Sequence, residues 1–140
     1  MTVSAKRGEA AGGSPKAPEG LPVLEVRTYA ITPGNGGKFH ELMTEGPVPM
    51  LRRWDVNVLF HGPASQDADR YILMRRFESE TERLATLGAF YGSEEWLRDW
   101  DDPVMAIIGN YHVLSLTCDR TLADAFTVLA QTTRSPTGAG

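Results

Sequence analysis

The sequence predicts an α+β domain of ferredoxin-like β-α-β-β-α-β order, with a four-stranded antiparallel sheet and both main helices on one face. Three observations predict it. Residues 23–32, 55–62, 70–77 and 110–117 are strand-like, apolar residues alternating through the first, second and fourth and packed densely in the third. Apolar residues spaced by three and four fall between the first and second of these segments and between the third and fourth. The second and third are separated only by the polar residues 63–69, as a hairpin requires. Such a connection places the strands in the spatial order 4-1-3-2.

Composition sets the outer bounds. The chain has 140 residues, 41% of them hydrophobic, enough to build one core with tails. Its net charge is −4 and its lysines and arginines form no basic stripe, which argues against nucleic acid as a partner. Cys118 is the one cysteine, so no intrachain disulfide forms, in keeping with a reducing cytoplasm. No apolar run approaches the ~18 residues of a membrane span. Lys6 and Arg7 precede no apolar segment of a secretory signal. The expectation is a cytoplasmic protein with no membrane partner.

Residues 1–20 are dominated by Gly, Ala, Pro, Ser and charge and are expected to be a disordered tail. The folded domain spans 21–118. A C-terminal helical extension follows at 119–131, with Leu122, Phe126 and Leu129 on one stripe, and 132–140 form a second disordered tail.

Along the domain, the first strand (VLEVRTYAIT) sets Leu24, Val26, Thr28 and Ala30 on one face and Glu25, Arg27, Tyr29 and Ile31 on the other. Pro33-Gly34 ends it. A helix over 35–45 carries Phe39, Leu42 and Met43, with His40 read as exposed beside this stripe. Gly46-Pro47 and Pro49 interrupt it, and a short helical segment over 50–54 follows. The second strand places Val56, Val58 and Phe60 inward and Asp55, Asn57 and His61 opposite. The third strand packs Tyr71, Ile72, Leu73, Met74 and Phe77 around Arg75. Ser79 or Thr81 caps the next helix, Glu82 being the capping-box partner of Ser79; Leu84, Leu87, Phe90 and Tyr91 form its stripe. Gly92-Ser93 breaks it. Short helical turns carry Trp96, Leu97 and Trp100, then Val104 to Ile108, before the last strand, NYHVLSLT.

The sheet face bearing Glu25, Arg27 and Tyr29 also carries Val23, Ile31 and Leu59, too apolar for bare solvent if the helices lie on the other side. A homodimer that closes two sheets into an α/β barrel would cover it.

The motifs EVRTY with the following Pro33-Gly34, MRRF with Arg83 downstream, and FYGSEEW resemble bacterial members of the NIPSNAP family over residues 22–118. That family belongs to the dimeric α/β-barrel superfamily, which also holds the antibiotic-biosynthesis monooxygenases. The chain has Arg76 where family members usually have Gly. The resemblance implies the fold and the dimer; the family has no single activity to carry over.

For chemistry, His40, His61 and His112 have no metal-motif spacing, so neither a metal nor haem is expected. No G-x-S-x-G motif exists, Cys118 has no basic neighbour, and PGNGGK lacks phosphate-loop spacing, so no cofactor is expected. Arg27 and Arg75 are the sharper residues, because a buried guanidinium needs a counter-charge. Two readings stay open: Glu25 neutralises one of them from the adjacent strand, or one faces a cavity and holds an anionic or enolate oxygen. The catalytic candidates are Arg27, His61, Tyr71, Arg75 and His112, with His61, Tyr71 and His112 as the acid–base groups. Tyr29, Trp54, Phe90, Tyr91 and Trp96 are the candidate pocket for a small hydrophobic or aromatic ligand. The function read from this set is a small-molecule enzyme without a bound cofactor, a monooxygenase or a cyclase/isomerase acting on an aromatic or polyketide-like metabolite. The alternative is a non-catalytic dimeric module that binds a ligand or a protein.

Overall fold

Strand β1 (Val23–Ile31) lies at the centre of the sheet because both of its faces are needed for packing. It pairs antiparallel with β3 (Asp67–Phe77) on one side and β4 (Ile108–Thr117) on the other, and β2 (Asn57–Ala64) extends the sheet beyond β3. The order β2-β3-β1-β4 is the one read from the sequence. The structure, a computed structural model, describes residues 20–134; the disorder expected at 1–19 and 135–140 lies outside the described residues.

One face of the sheet is covered by α1 (Gly36–Glu45), α2 (Pro47–Arg53), α3 (Glu80–Tyr91), a π-helical turn (Trp96–Trp100) and α4 (Asp101–Ile107). This is the face of Glu25, Arg27 and Tyr29, all buried, so the expected sidedness is inverted. Phe39, Met43, Leu51, Leu87 and Phe90 from the helices outbid solvent for Tyr29, Tyr71 and Leu73 of the strands. The polar side chains of β1 are carried into the core with them.

The opposite face bears Val26, Thr28, Ile72 and Met74, half-buried or exposed, with Leu114 at 72% and Leu116 at 54% exposure. One end of it is crossed by α5 (Arg120–Arg134), which continues three residues beyond the expected extension. Arg76 anchors α5: its guanidinium lies 2.9 Å from Asp124 and donates to Thr127 at 2.8 Å. Thr127 and the fully buried Ala123 share the inner side of α5, while Leu122, Phe126, Val128 and Leu129 remain exposed.

Strand β2 corrects the expected alternation. Its register with β3 shifts between Val58 and Phe60, a β-bulge at Leu59. The extra residue turns Phe60 onto the open face, 46% exposed, and brings His61 to the helix-covered face beside Leu73. The hairpin is also tighter than its polar sequence suggests, with β2 reaching Ala64 and β3 starting at Asp67. Helix α2 begins at Pro47, not at residue 50, because a proline in the first helical turn forfeits no hydrogen bond. Ser79 caps α3, its Oγ accepting from Glu82 N at 3.0 Å; the Glu82 carboxylate accepts from Glu78 N.

Candidate functional site

The helix-covered face of the sheet carries a buried ionic network. Glu25 and Arg75 are direct cross-strand partners between β1 and β3. The Glu25 carboxylate accepts from Arg75 Nε at 2.8 Å and from Arg83 Nη1 of α3 at 2.7 Å, and Arg83 also donates to Glu80. Burial opposes charge on Glu25, but Arg75, Arg27 and Arg83 together draw its carboxyl down to about 2. Arg75 Nη1 donates to the Tyr91 hydroxyl at 3.0 Å. Three arginines thus face two carboxylates, and one positive charge is left over.

That charge belongs to Arg27. It is 2% exposed, and its Nε lies 3.5 Å from Glu25, too far for a hydrogen bond. Among the described residues, neither Nε nor Nη2 of Arg27 finds a hydrogen-bond partner. The guanidinium is held by the rings of Tyr91 and Tyr111, each centroid 5.6 Å from its central carbon. Beside it opens a cavity of about 20 Å³, room for little more than a water. Tyr29, Tyr91, Trp96, Tyr111, Met43 and Met105 are among its walls.

Two of those walls titrate unusually. Burial pushes the Tyr29 phenol up to about 12 against the pull of Arg27. Burial also raises Tyr91, but Arg75 and Arg27 more than offset it, so this phenol lies below its ordinary value. Trp96 is fixed by donation from its Nε1 to the buried Asp101 carboxylate at 2.9 Å. Phe90 and Tyr91 stack edge-on, 5.0 Å between centroids, and both meet Trp96.

The structure therefore gathers Arg27, Tyr29, Phe90, Tyr91 and Trp96 around one cavity. Trp54 stands behind this wall, edge-on to Phe90 at 5.4 Å. Arg75 lies in the ionic network behind Tyr91. His61 and Tyr71 are elsewhere: the Tyr71 hydroxyl bridges His61 Nδ1 at 3.0 Å and His40 Nδ1 at 2.7 Å. His40 is thus half-buried and bonded, not an exposed helix residue. His112 pairs with Thr28 on the open sheet face and is exposed.

Sequence reasoning missed His40 because its position depends on how α1 docks. Gly36 lets the start of α1 press onto Ala68, where any Cβ would overlap the Ala68 carbonyl. Asp69 then accepts from Gly34 N and Gly36 N, both at 2.9 Å. The glycine pair flanking Asn35 was the available signal. Met43 and Met105 were missed as cavity walls because nothing distinguishes them from ordinary core residues. Among the described residues no three His, Cys, Asp or Glu side chains gather as a metal site, and no helix is long and apolar enough to cross a membrane.

No family model matches the chain, and no curated protein matches it. Solved structures do. A NIPSNAP family protein from Agrobacterium tumefaciens is 17% identical, with a TM-score of 0.63 over 68% of this chain and 90% of its own. A NIPSNAP-like domain protein from Burkholderia xenovorans is 11% identical, with a TM-score of 0.65 over 72% of this chain and 88% of its own. An antibiotic-biosynthesis-monooxygenase-type protein from Nitrosomonas europaea is 11% identical, with a TM-score of 0.56 over 73% of this chain and 94% of its own. The resemblance read in EVRTY, MRRF and FYGSEEW is met at the level of architecture: the chain has the α+β, ferredoxin-like fold of NIPSNAP family proteins.

Proposed function

We propose that the cavity beside Arg27 binds an aromatic or polyketide-like monoanion and acts on it without a bound cofactor, as a monooxygenase or a cyclase/isomerase. The observation that carries this reading is the fully buried Arg27 guanidinium with two unpartnered N–H-bearing nitrogens at the cavity wall. Buried donor nitrogens without hydrogen bonds are costly even though Arg27 is ion-paired with Glu25 at 3.5 Å, and an anionic oxygen at the wall would offset that cost. The neutral phenol or enol loses its proton to Tyr91 in its phenolate form, the aromatic walls hold the ring, and Arg27 holds the resulting monoanion. In the oxygenase case the electron-rich anion reacts with dioxygen directly. The candidate bases His61, Tyr71 and His112 lie outside this cavity, so Tyr91 replaces them in the proposal. Likeness to the Nitrosomonas europaea protein favours the oxygenase branch by fold alone.

A second reading, a non-catalytic binding module, is favoured by the size of the cavity, about 20 Å³ against the several hundred of a typical ligand pocket. Catalysis requires the flexible Met43 and Met105 side chains to withdraw. In both readings the protein works in the cytoplasm as a homodimer joined through the open sheet face, where Leu114 and Leu116 stand exposed. The test is dioxygen uptake and product analysis with a polyphenolic anthrone, for wild type, Arg27→Met and Tyr91→Phe. Turnover that falls roughly 100-fold or more in both variants supports the enzyme; no turnover in wild type, with binding retained, leaves the module.

A further inference from the structure

With Met43 and Met105 in their present positions, the cavity beside Arg27 is too small for an aromatic ligand. Its volume, about 20 Å³, admits one particle close to the size of a water. It adjoins a buried cation whose Nη2 has no hydrogen-bond partner among the described residues. Charge decides between a water and an anion as the occupant. Glu25 divides one negative charge among three guanidinium groups, and Arg27 has the most distant share: 3.5 Å, against 2.8 Å for Arg75 and 2.7 Å for Arg83. Glu80 adds its carboxylate at Arg83, not at Arg27, and Asp101 is bonded to the Trp96 indole. A water would satisfy Nη2 and leave the surplus positive charge in the core, whereas a small anion answers both.

We propose that Arg27 holds a monoatomic anion of the chloride type in this closed cavity, and that the halide competes with the aromatic anion for the guanidinium. This rests on Arg27 as the anion anchor and names what occupies the site at rest. Size selects the class. Carboxylates and phosphate exceed the space, while a halide is little larger than a water and the flexible thioether walls of Met43 and Met105 yield to it. The halide also governs Tyr91. Burial raises this phenol, yet Arg75 and Arg27 hold it below its ordinary value, so a halide in the cavity and a Tyr91 phenolate answer the same positive charge. With the halide bound Tyr91 stays a neutral phenol; its departure leaves the arginines to hold the phenolate that accepts the substrate proton.

The test is calorimetric titration of the full chain with 2-naphthoate, in sodium gluconate and in sodium chloride of equal ionic strength. Wild type is expected to bind roughly tenfold more weakly in chloride, by mass action of the competing ion, while Arg27→Met binds equally weakly in both salts. Chloride and bromide should raise the melting temperature of wild type relative to gluconate and leave that of Arg27→Met unchanged. Where Arg27→Met fails to fold, ultraviolet absorption of the Tyr91 phenolate takes its place: in wild type it appears at higher pH in chloride than in gluconate, and Tyr91→Phe lacks that step. Equal 2-naphthoate affinity of wild type in the two salts, with Arg27→Met still weakened, overturns the halide and keeps the anchor. Halide stabilisation of wild type alone, with no binding of 2-naphthoate in either salt, keeps the halide and overturns the aromatic-anion reading. Halide effects of the same size in wild type and Arg27→Met, or a phenolate step at the same pH in both salts, overturn the proposal.

Discussion

Glu25 and Arg75 stand opposite one another on β1 and β3, and both side chains are wholly buried, with carboxylate and guanidinium 2.7–2.8 Å apart. Cross-strand register brings them together, and Arg83 reaches the same carboxylate from α3. One glutamate thereby ties the sheet to the helix layer. Replacing it by glutamine leaves the shape and removes the only full charge shared by these arginines. Glu25→Gln is expected to cost about 3–5 kcal/mol of stability, because buried guanidinium groups lose their compensation. Chemical denaturation measures it; a loss below about 1 kcal/mol would show that the network tolerates the missing charge.

The same carboxylate sets an acid limit. Its folded value, about 2, lies below the ordinary 4.5, so the stability it contributes is fully present above about 4.5 and disappears as pH falls toward 2. Wild type should lose stability across that window. Glu25→Gln should lose markedly less there, although it starts from a lower plateau. Denaturation midpoints taken at closely spaced pH values compare the two.

Much of this architecture was legible in the sequence. Period-two alternation in VLEVRTYAIT and the polar 63–69 stretch suffice for strand order, and Glu25 on the strand adjacent to that of Arg75 suggested the ion pair. Sidedness was not legible. A face holding Glu, Arg and Tyr reads as solvent-facing unless the partners that neutralise it are known, and Arg83 and Tyr91 arrive from a distant helix. Nor does alternation reveal a bulge: one extra residue at Leu59 reverses Phe60 and His61. The candidate site was half legible. Its aromatic wall follows from FYGSEEW, whereas the union of His40 with Tyr71 depends on helix docking.

The helix layer is sensitive to overpacking at Gly46, where a Cβ would enter the Trp100 ring. Gly46→Ala is expected to destabilise by about 1–3 kcal/mol, since the indole must shift within a packed layer. Thermal unfolding checks this, and an unchanged melting temperature would show that Trp100 moves freely.

Helix α5 is held to the sheet through Arg76, which contacts Asp124, Thr127 and Glu78. Arg76→Met should release it without unfolding the domain. Amide exchange across 120–131 is expected to rise at least tenfold while β1 and β3 stay protected. Uniform acceleration throughout the sheet would make α5 part of the core.

In the proposed reaction Tyr91 takes the proton, and its phenol lies below its ordinary value beside Arg75 and Arg27. Tyr91→Phe keeps the ring that packs on Phe90 and Trp96. Turnover of an anthrone substrate is expected to fall roughly 100-fold, with substrate affinity little changed. A matching loss of affinity and no further loss in the chemical step would make the hydroxyl a binding group only.

The central claim is that Arg27 is the anion anchor of the cavity, and calorimetric titration with 2-naphthoate tests it most directly. A charged hydrogen bond contributes about 1.5–3 kcal/mol, so Arg27→Met should bind this aromatic anion roughly 10–150-fold more weakly than wild type. The neutral 2-naphthamide should lose far less. Equal affinity of wild type and Arg27→Met for 2-naphthoate would contradict the account and leave Arg27 as a scaffold cation.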